Sequence, residues 1–129
     1  MQSSDLFPKP FTITLTGDMV AHYAAVSGDT NPVHLSDKAA NQAGFQKKVA
    51  HGMLLMALST NQMSSMLGAT WEVQQQTAKF VAPCYVNEEL TVRAKVTKEI
   101  DKTKHIKVTG ANQQEETILR GEITLRRRT

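Results

Sequence analysis

Cysteine, aromatic side chains and long apolar runs are all scarce in this 129-residue sequence. A single cysteine, Cys84, excludes an intrachain disulfide and a paired-cysteine metal motif, and it is consistent with a reducing compartment. The longest apolar run, Met53–Leu58, is far shorter than the ~20 residues that span a membrane. The first residues also lack the basic and apolar pattern of a secretory signal. We therefore expect a cytoplasmic protein that does not enter the membrane.

The sequence has only a small excess of positive charge, which does not by itself predict a polyanionic partner. The formal net charge is +3, which is too weakly basic to indicate nucleic-acid binding but suits an anionic ligand. Two basic clusters, Lys47-Lys48 and Arg126–Arg128, are interpreted as solvated charge or as contacts to a ligand phosphate. The sequence also lacks a clustered set of metal ligands and a glycine-rich phosphate loop. We therefore expect neither a metal ion nor a cofactor.

The length and composition fit one domain covering residues 1–129, with 40% hydrophobic and 21% charged residues. Phe11–Leu15 alternates apolar and polar residues, which predicts a short strand. Thr16 and Ser36 are positioned to cap helices, and the turn-rich residues 28–32 predict a loop between them. The expected helices cover residues 17–26 and about 36–43.

The next segment, residues 52–67, predicts a long helix that is apolar on most sides in its first half, which is typical of a buried helix. Beyond it the sequence alternates with period two between polar turns, which predicts antiparallel strands with one buried face. The expected strands cover residues 71–82, 90–97, 106–109 and 118–125, and the methionines expected in the core are Met53, Met56, Met63 and Met66. The fold class is therefore α+β, with a long central helix wrapped by a curved antiparallel β-sheet.

Asp29 and His34 are the candidate catalytic residues, five positions apart in the segment Ser-Gly-Asp-Thr-Asn-Pro-Val-His. Pro32 keeps Asn31 out of helical geometry, so the loop can fold back and aim both side chains at one water. A carboxylate and an imidazole converging on a water form a plausible general acid–base pair. The alternative is that Asp29 belongs to an ordinary turn and that the histidine is structural. The residue types alone leave both interpretations open.

The segment from Tyr23 to His34 resembles the signature of the MaoC-like, or "hydratase 2", family: an aromatic residue, a spacer and Ser-Gly-Asp-x-Asn-Pro-hydrophobic-His. The resemblance continues at Val-Ala-His-Gly-Met-Leu, residues 49–54, and more weakly through Phe80–Pro83. It implies a single hot-dog fold and the (R)-specific hydration of a trans-2-enoyl-CoA to a (3R)-3-hydroxyacyl-CoA. The substrate would be an acyl-CoA or an acyl-carrier-protein thioester, with coenzyme A as part of the substrate.

The resemblance also assigns roles to individual residues. It implies that Asp29 and His34 form the dyad that activates one water, without dividing the proton transfers between them. Gly52 matches the glycine whose backbone N–H binds the thioester oxygen. Asn31 matches a position that shapes the loop, and Thr60 falls where relatives carry a small hydroxyl residue. Met53 is expected to help shape the substrate site.

Physical chemistry supports the role of Gly52 independently of the resemblance. Attack of water at C3 places negative charge on the thioester oxygen, and a fixed donor there lowers the barrier. The N–H at the start of a helix lacks an intrahelical partner and carries partial positive charge. The alternative is that Gly52 only helps the chain turn into the helix. His51, which precedes it, is interpreted as structural.

Three functions remain open at this stage. The first is an (R)-specific enoyl-CoA hydratase, the second a (3R)-hydroxyacyl-acyl-carrier-protein dehydratase, and the third a non-catalytic acyl-thioester-binding module. A homodimer is expected because relatives often fuse two such halves, whereas this chain has one. The sequence departs from the family at Asn87-Glu88-Glu89, the stretch where relatives commonly have a Gly-Asp pair, and we interpret the change as conservative for activity. Cys84 is interpreted as a buried, non-catalytic residue.

Overall fold

The computed structural model describes residues 10–128, without the side chains of residues 64–67. Five strands, three α-helices and one 3₁₀ turn form in the described part of the chain. In chain order they are β1 (Phe11–Thr14), α1 (Gly17–Ser27), the 3₁₀ turn (Pro32–His34), α2 (Asp37–Gln42), α3 (Gly52–Leu67), β2 (Trp71–Phe80), β3 (Glu89–Ile100), β4 (Thr103–Ala111) and β5 (Thr117–Arg127). None of the described helices is long and apolar enough to cross a membrane.

The strands form one antiparallel sheet in the order β1-β3-β4-β5-β2, and α3 packs against it. The expected α+β arrangement of one long helix against an antiparallel sheet is therefore confirmed. Apolar residues of one sheet face and of α3 form the core, because period-two alternation turns one face of each strand inward. The largest fully buried side chains are Leu15, Leu55, Leu90, Ile106, Ile118 and Leu125.

The helices before the site begin and end where the sequence predicts. The Thr16 side chain accepts a hydrogen bond from the Met19 N–H at 3.2 Å, and Ser36 accepts one from the Ala39 N–H at 3.2 Å. Both are N-cap contacts that satisfy otherwise unpaired N–H groups. Gly28 ends α1 in the left-handed region, with φ of 80°, which glycine adopts without steric cost. The chain therefore leaves α1 directly into the Asp29 loop.

The strands of the sheet differ from the prediction mainly in length. β3 and β4 extend to the turn at Asp101-Lys102, because the backbone ladder continues through polar residues that carry no apolar alternation. β2 ends at Phe80 rather than at residue 82, shortly before Pro83, which has no N–H to donate. The connection from Val81 to Glu88 is therefore irregular, and it crosses close to the start of α3.

The long helix α3 is less enclosed than its composition predicts. Leu54, Leu55 and Met63 are buried against the sheet, whereas Met56 is half-buried. Met53 is 59% exposed, so the expectation that it belongs to the core is wrong for the single chain. The sheet covers only one side of the helix, which leaves the outer side of its first turn open. The Met66 side chain lies outside the described residues.

Candidate active site

A chain of short-range hydrogen bonds shapes the loop between α1 and the 3₁₀ turn. Asp29 Oδ1 accepts from the Asn31 N–H at 3.4 Å, and Asn31 Oδ1 accepts from the Val33 N–H at 3.2 Å. The second bond caps the 3₁₀ turn, whose first residue is Pro32. Asn31 therefore shapes the loop, as the sequence predicts. The loop brings the side chains of Asp29 and His34 to the same place.

A backbone carbonyl fixes the tautomer of His34. His34 Nδ1 lies 2.7 Å from the carbonyl oxygen of Val49, and a carbonyl can only accept, so Nδ1 carries the proton and donates. In the neutral ring Nε2 then carries the lone pair. This atom lies 4.0 Å from Asp29 Oδ2, and the His34 side chain is 11% exposed compared with 53% for Asp29. The site is thus a half-open pair with its basic nitrogen turned toward the carboxylate.

The gap between the two side chains has the size and polarity for one water. An ionised carboxylate only accepts hydrogen bonds, and so does Nε2 of the neutral imidazole. Asp29 Oδ2 and His34 Nε2 lie 4.0 Å apart and cannot bond to each other directly when both are acceptors. A water about 2.8 Å from both atoms can donate one hydrogen to the carboxylate and the other to the imidazole. Such a water turns its lone pairs away from Asp29 and His34. The geometry is therefore suited to one water held between Asp29 and His34, with its lone pairs facing the open side.

His51, which the sequence analysis interprets as structural, lies beside His34 and the Asp29 loop. It is 2% exposed, and its Nε2 lies 3.0 Å from the carbonyl oxygen of Asp29. Its ring stacks on the His34 ring with centroids 3.6 Å apart and meets the Tyr23 ring edge-on at 4.8 Å. The signal in the sequence was its position directly before Gly52 in the Ala-His-Gly-Met segment.

Gly52 is the first residue of α3, and no side chain caps this end of the helix. Its N–H has no intrahelical partner, as in any first turn. The ring of Phe80 packs against it so closely that a Cβ at this position would lie 3.0 Å from Phe80 Cε2. A side chain at position 52 would therefore push the Phe80 ring away by a few tenths of an ångström, a contact that the sequence did not indicate. The donor role remains a prediction.

Thr60 and Met53 line an open groove along α3 together with Met56, Asn61 and Gln76. Thr60 Oγ1 donates to the Met56 carbonyl at 2.9 Å and accepts a hydrogen bond from the Gln76 side chain. It lies eight residues after Gly52, or about 12 Å along the helix. The structure thus places Thr60 and Met53 along α3, and their part in the substrate site stays a prediction.

Two spaces lie along α3. An open cleft lies beside Gly52 and is lined by Phe45, Phe80 and Pro83 among others. A small, mostly apolar cavity lies between the middle of α3 and the sheet and is lined by Met56, Ser59, Met63, Gln76, Thr77, Ala78, Val108, Leu119, Gly121 and Ile123. The cleft and the cavity are lined by different residues.

Asp29, His34 and His51 bring three potential metal-ligand atoms within 4.8 Å of one another. The two imidazole rings are stacked, with an interplanar angle of 23°. Imidazole lone pairs lie in the ring plane, so two nearly parallel rings do not converge on one ion. His34 Nδ1 and His51 Nε2 are also engaged with backbone carbonyls. The residues fit a metal ion poorly, and the absence of a metal in the functional protein stays a prediction.

Cys84 lies in the irregular segment between β2 and β3 and is 2% exposed. Burial, together with the nearby carboxylate of Glu88, raises the pKa of its thiol from 9.0 to about 12. The nucleophilic form of cysteine is the thiolate, which such a pKa suppresses at neutral pH. This environment supports the interpretation of Cys84 as a buried, non-catalytic residue.

The departure from the family signature at Asn87-Glu88 preserves the turn. Asn87 adopts a φ of 74°, a left-handed conformation that asparagine tolerates better than most residues. Glu88 is 8% exposed, and its Oε1 accepts a hydrogen bond from the Tyr85 N–H at 2.8 Å. Asparagine and glutamate therefore supply the positive φ and the carboxylate acceptor that glycine and aspartate can supply. Whether the change is conservative for activity remains a prediction.

Comparison with known proteins identifies the family. The profile of the MaoC-like domain matches residues 5–118. This chain belongs to the MaoC-like family. Among solved structures, the (R)-hydratase from A. caviae involved in PHA biosynthesis superposes with a TM-score of 0.82 at 26% identity, covering 92% of each chain. The likeness confirms the hot-dog fold expected for this MaoC-like chain.

Two curated relatives share part of this MaoC-like chain. The (R)-specific enoyl-CoA hydratase of Aeromonas caviae is 34% identical over 60% of this chain and 59% of that protein. The mitochondrial 3-hydroxyacyl-[acyl-carrier-protein] dehydratase of Arabidopsis thaliana is 30% identical over 61% of this chain and 47% of that protein. The chain thus spans less than two thirds of the length of either relative. Both relatives are named for adding or removing water at a thioester-linked acyl chain.

Proposed function

We propose that this protein catalyses the reversible (R)-specific hydration of trans-2-enoyl-CoA to (3R)-3-hydroxyacyl-CoA. The observation that carries this proposal is the approach of His34 Nε2 to Asp29 Oδ2 at 4.0 Å, with the uncapped start of α3 close by. The name of the Aeromonas relative supports the same activity. Coenzyme A is then part of the substrate, and the residues present need no separate cofactor.

In this proposal the water between Asp29 and His34 attacks C3 of the enoyl thioester. Its oxygen forms the new C–O bond, one of its protons passes to the dyad, and the other stays on the hydroxyl. The dyad delivers one proton to C2, so the atoms and charges balance. Both transfers occur on the face of the substrate that meets the dyad, which favours addition of H and OH to the same face. Either residue can perform either transfer.

Gly52 supplies the electrophilic contribution in this mechanism. Negative charge develops on the thioester oxygen as the C3–O bond forms. The N–H groups in the first turn of α3 point out of the helix toward that charge, and the helix dipole adds partial positive charge there. A well-placed donor of this kind typically lowers the barrier by ~3 kcal/mol. The mechanism therefore uses two side chains and one helix terminus.

A second candidate is the dehydration of a (3R)-3-hydroxyacyl chain carried by acyl-carrier protein. The Arabidopsis relative is named for that reaction. The chemistry is the same reaction run in reverse, so the dyad and Gly52 would have the same roles. Only the carrier of the thioester distinguishes this candidate from the first one.

The proposal includes a homodimer. β2 is an edge strand, its outer side is unpaired in the described part of the chain, and most of its residues are exposed. A long unpaired edge readily pairs with another strand. Pairing of β2 with its copy would join two sheets and cover Val73 and Phe80, which are 38% and 39% exposed. Because Phe80 packs on Gly52, each site would lie near the interface.

The decisive experiment follows the loss of enoyl-thioester absorbance with crotonyl-CoA and with a longer trans-2-enoyl-CoA, together with a chiral assay of the product. We expect rapid formation of the (R)-3-hydroxy product. Asp29→Asn and His34→Asn should each lower kcat by ~10²- to 10⁴-fold, because each removes one proton-transfer group. Asparagine at position 34 retains an N–H that can donate to Val49, so the loop should remain folded. His22→Asn, at an exposed histidine of α1, is the matched control.

The other outcomes assign the alternatives. If both Asp29→Asn and His34→Asn turned over substrate at the wild-type rate, the catalytic role of the dyad would be rejected. Turnover of an acyl-carrier-protein ester without turnover of either CoA ester would establish the second candidate. Binding of enoyl thioesters without turnover of any of them would identify a non-catalytic acyl-thioester-binding module instead.

A further inference from the structure

His51 is a buried histidine whose hydrogen bonding is only half satisfied. Nε2 lies 3.0 Å from the Asp29 carbonyl oxygen, which can only accept, so Nε2 carries the proton. Nδ1 of the neutral ring is then a bare acceptor, and it is buried without a hydrogen-bond partner among the described residues. A buried acceptor without a partner lowers stability, and an apolar ring of similar shape would avoid that cost. The histidine is therefore poorly explained by packing alone.

The bond from His51 is the long-range support of the Asp29 loop. The other hydrogen bonds of residues 28–31 in the described part of the chain run to partners between residues 24 and 34. Those bonds shape the loop but do not attach it to the rest of the fold. His51 is 22 residues away, at the start of α3, and it binds the backbone of Asp29 itself. This bond thus ties the backbone of Asp29 directly to the start of α3.

The same side chain also supports the other member of the dyad. The His51 ring lies against the His34 ring at 3.6 Å, while Val49 holds the edge of the His34 ring through Nδ1. The hydrogen bond to Val49 limits rotation of the His34 ring within its plane, and the stacked His51 ring limits its tilt out of that plane. On the far side of His51, the ring of Tyr23 closes the stack. Asp29 and His34 are therefore both held by one residue, which is followed directly by Gly52.

We propose that His51 is a positioning residue that holds Asp29 by a hydrogen bond and His34 by ring stacking, so that both dyad members face the same water. The inference rests on the proposed function of that dyad. His51 does not touch the water or the substrate in this account. Its loss therefore lowers kcat and leaves KM nearly unchanged.

Two substitutions separate positioning from packing. His51→Gln places an amide N–H near the position of Nε2 and keeps the donor, but it loses the ring. His51→Phe keeps a ring between Tyr23 and His34, removes the unpaired Nδ1, and loses the donor. If His51 only fills space, His51→Phe should be at least as stable and at least as active as His51→Gln. If His51 acts through its hydrogen bond, His51→Phe should still be at least as stable, but His51→Gln should be the more active variant.

The test measures thermal unfolding, kcat and KM for wild type and both variants, with His22→Gln and His22→Phe as matched controls. We expect His51→Phe to unfold at or above the wild-type temperature and to lose at least tenfold in kcat, with KM changed less than threefold. We expect His51→Gln to retain a higher kcat than His51→Phe. A wild-type kcat in His51→Phe, or activity that follows stability in both variants, would overturn the inference. If His51→Phe does not fold, His51→Leu serves as the donorless variant under the same criteria.

A spectroscopic readout keeps this inference separate from the proposed function. Ring ¹⁵N spectra at pH 8 report which nitrogen of a neutral histidine carries the proton. In the wild type we expect the Nε2–H tautomer for His51 and the Nδ1–H tautomer for His34, and in His51→Gln, which lacks the stacked ring, a His34 signal that moves toward a mixture. Absence of wild-type turnover, with these spectra as expected, would reject the proposed function and not the positioning. An unchanged His34 spectrum in His51→Gln would reject the positioning of His34 by ring stacking.

Discussion

The burial of Cys84 makes the stability of the protein depend on pH in the alkaline range. Its pKa is about 12 in the folded protein, compared with 9.0 for an unperturbed thiol, so above pH 9 the unfolded chain releases a proton that the folded chain retains. The folded state then binds more protons, and its stability falls as pH rises from about 9 to about 12. The slope from this group approaches 1.4 kcal/mol per pH unit within that window.

Cys84→Ala isolates this contribution. We expect the variant to lose less unfolding free energy than wild type between pH 8.5 and 10.5, because the other titrating groups are common to both proteins. Urea unfolding at several pH values measures the difference. The variant starts from a lower stability at pH 7, since a small buried side chain is removed. Parallel pH curves for the two proteins would contradict the assignment.

Asp29 shows why residue types left its role open. One carboxylate oxygen accepts from the Asn31 N–H, as in an ordinary turn, and the other faces His34. The turn interpretation and the catalytic interpretation are therefore compatible, and the turn is what aims the second oxygen. Local sequence predicts the turn because its bonds run between near neighbours. The Val49 carbonyl that orients His34 lies 15 residues away, and no local pattern specifies it.

Among the structural elements, the turn before β3 gives a test of backbone strain. Asn87 holds a φ of 74°, which costs a residue with a Cβ roughly 1–2 kcal/mol unless it is asparagine or aspartate. We expect Asn87→Ala to lose about 1 kcal/mol of unfolding free energy and Asn87→Gly to match wild type. Chemical denaturation of the three proteins measures the order. Equal stability of the alanine and glycine variants would show that the positive φ is not a constraint here.

The helices were predicted more closely than the contacts between them. α3 runs from Gly52 to Leu67, as predicted, because its apolar run and its flanking glycines are local features. The contact of Phe80 with Gly52 and the stack of His51 on His34 depend on the path of the chain between distant elements. The exposure of Met53 depends on the same packing. Sequence periodicity identifies an apolar helix but not the side that its own sheet leaves open.

At the level of the whole molecule, the unpaired edge of β2 predicts self-association. Val73→Lys puts a charge on that strand, where pairing of two copies would bring like charges together. We expect wild type to sediment as a dimer and Val73→Lys to shift toward monomer. Val26→Lys is the matched control, since Val26 is 73% exposed on α1 and away from β2. A monomeric wild type, or dissociation by both variants alike, would contradict pairing through β2.

The two basic clusters lie at different distances from the site. Arg127 pairs with Trp71 at the start of β2, whereas Phe80 at its other end packs on Gly52. Ten strand residues span about 30 Å, so the arginine cluster lies at the far end of the same protomer. Lys47-Lys48 directly precedes Val49, whose carbonyl holds His34. Within one chain, the lysine pair is therefore the basic cluster that lies nearer to His34.

In the described part of the chain, the polar groups of the site come from the loop after α1, the 3₁₀ turn and the start of α3, and none comes from a strand. The small apolar cavity, in contrast, is lined largely by strand residues, among them Thr77 and Ile123. Substitutions in the strands can therefore alter the cavity without replacing any polar residue of the candidate site. A larger or smaller side chain at a cavity-lining strand residue changes the size of the cavity and leaves Asp29 and His34 unsubstituted. A laboratory library at the cavity-lining residues of β2 and β5 would test whether the cavity receives part of the ligand, because it substitutes none of those polar groups.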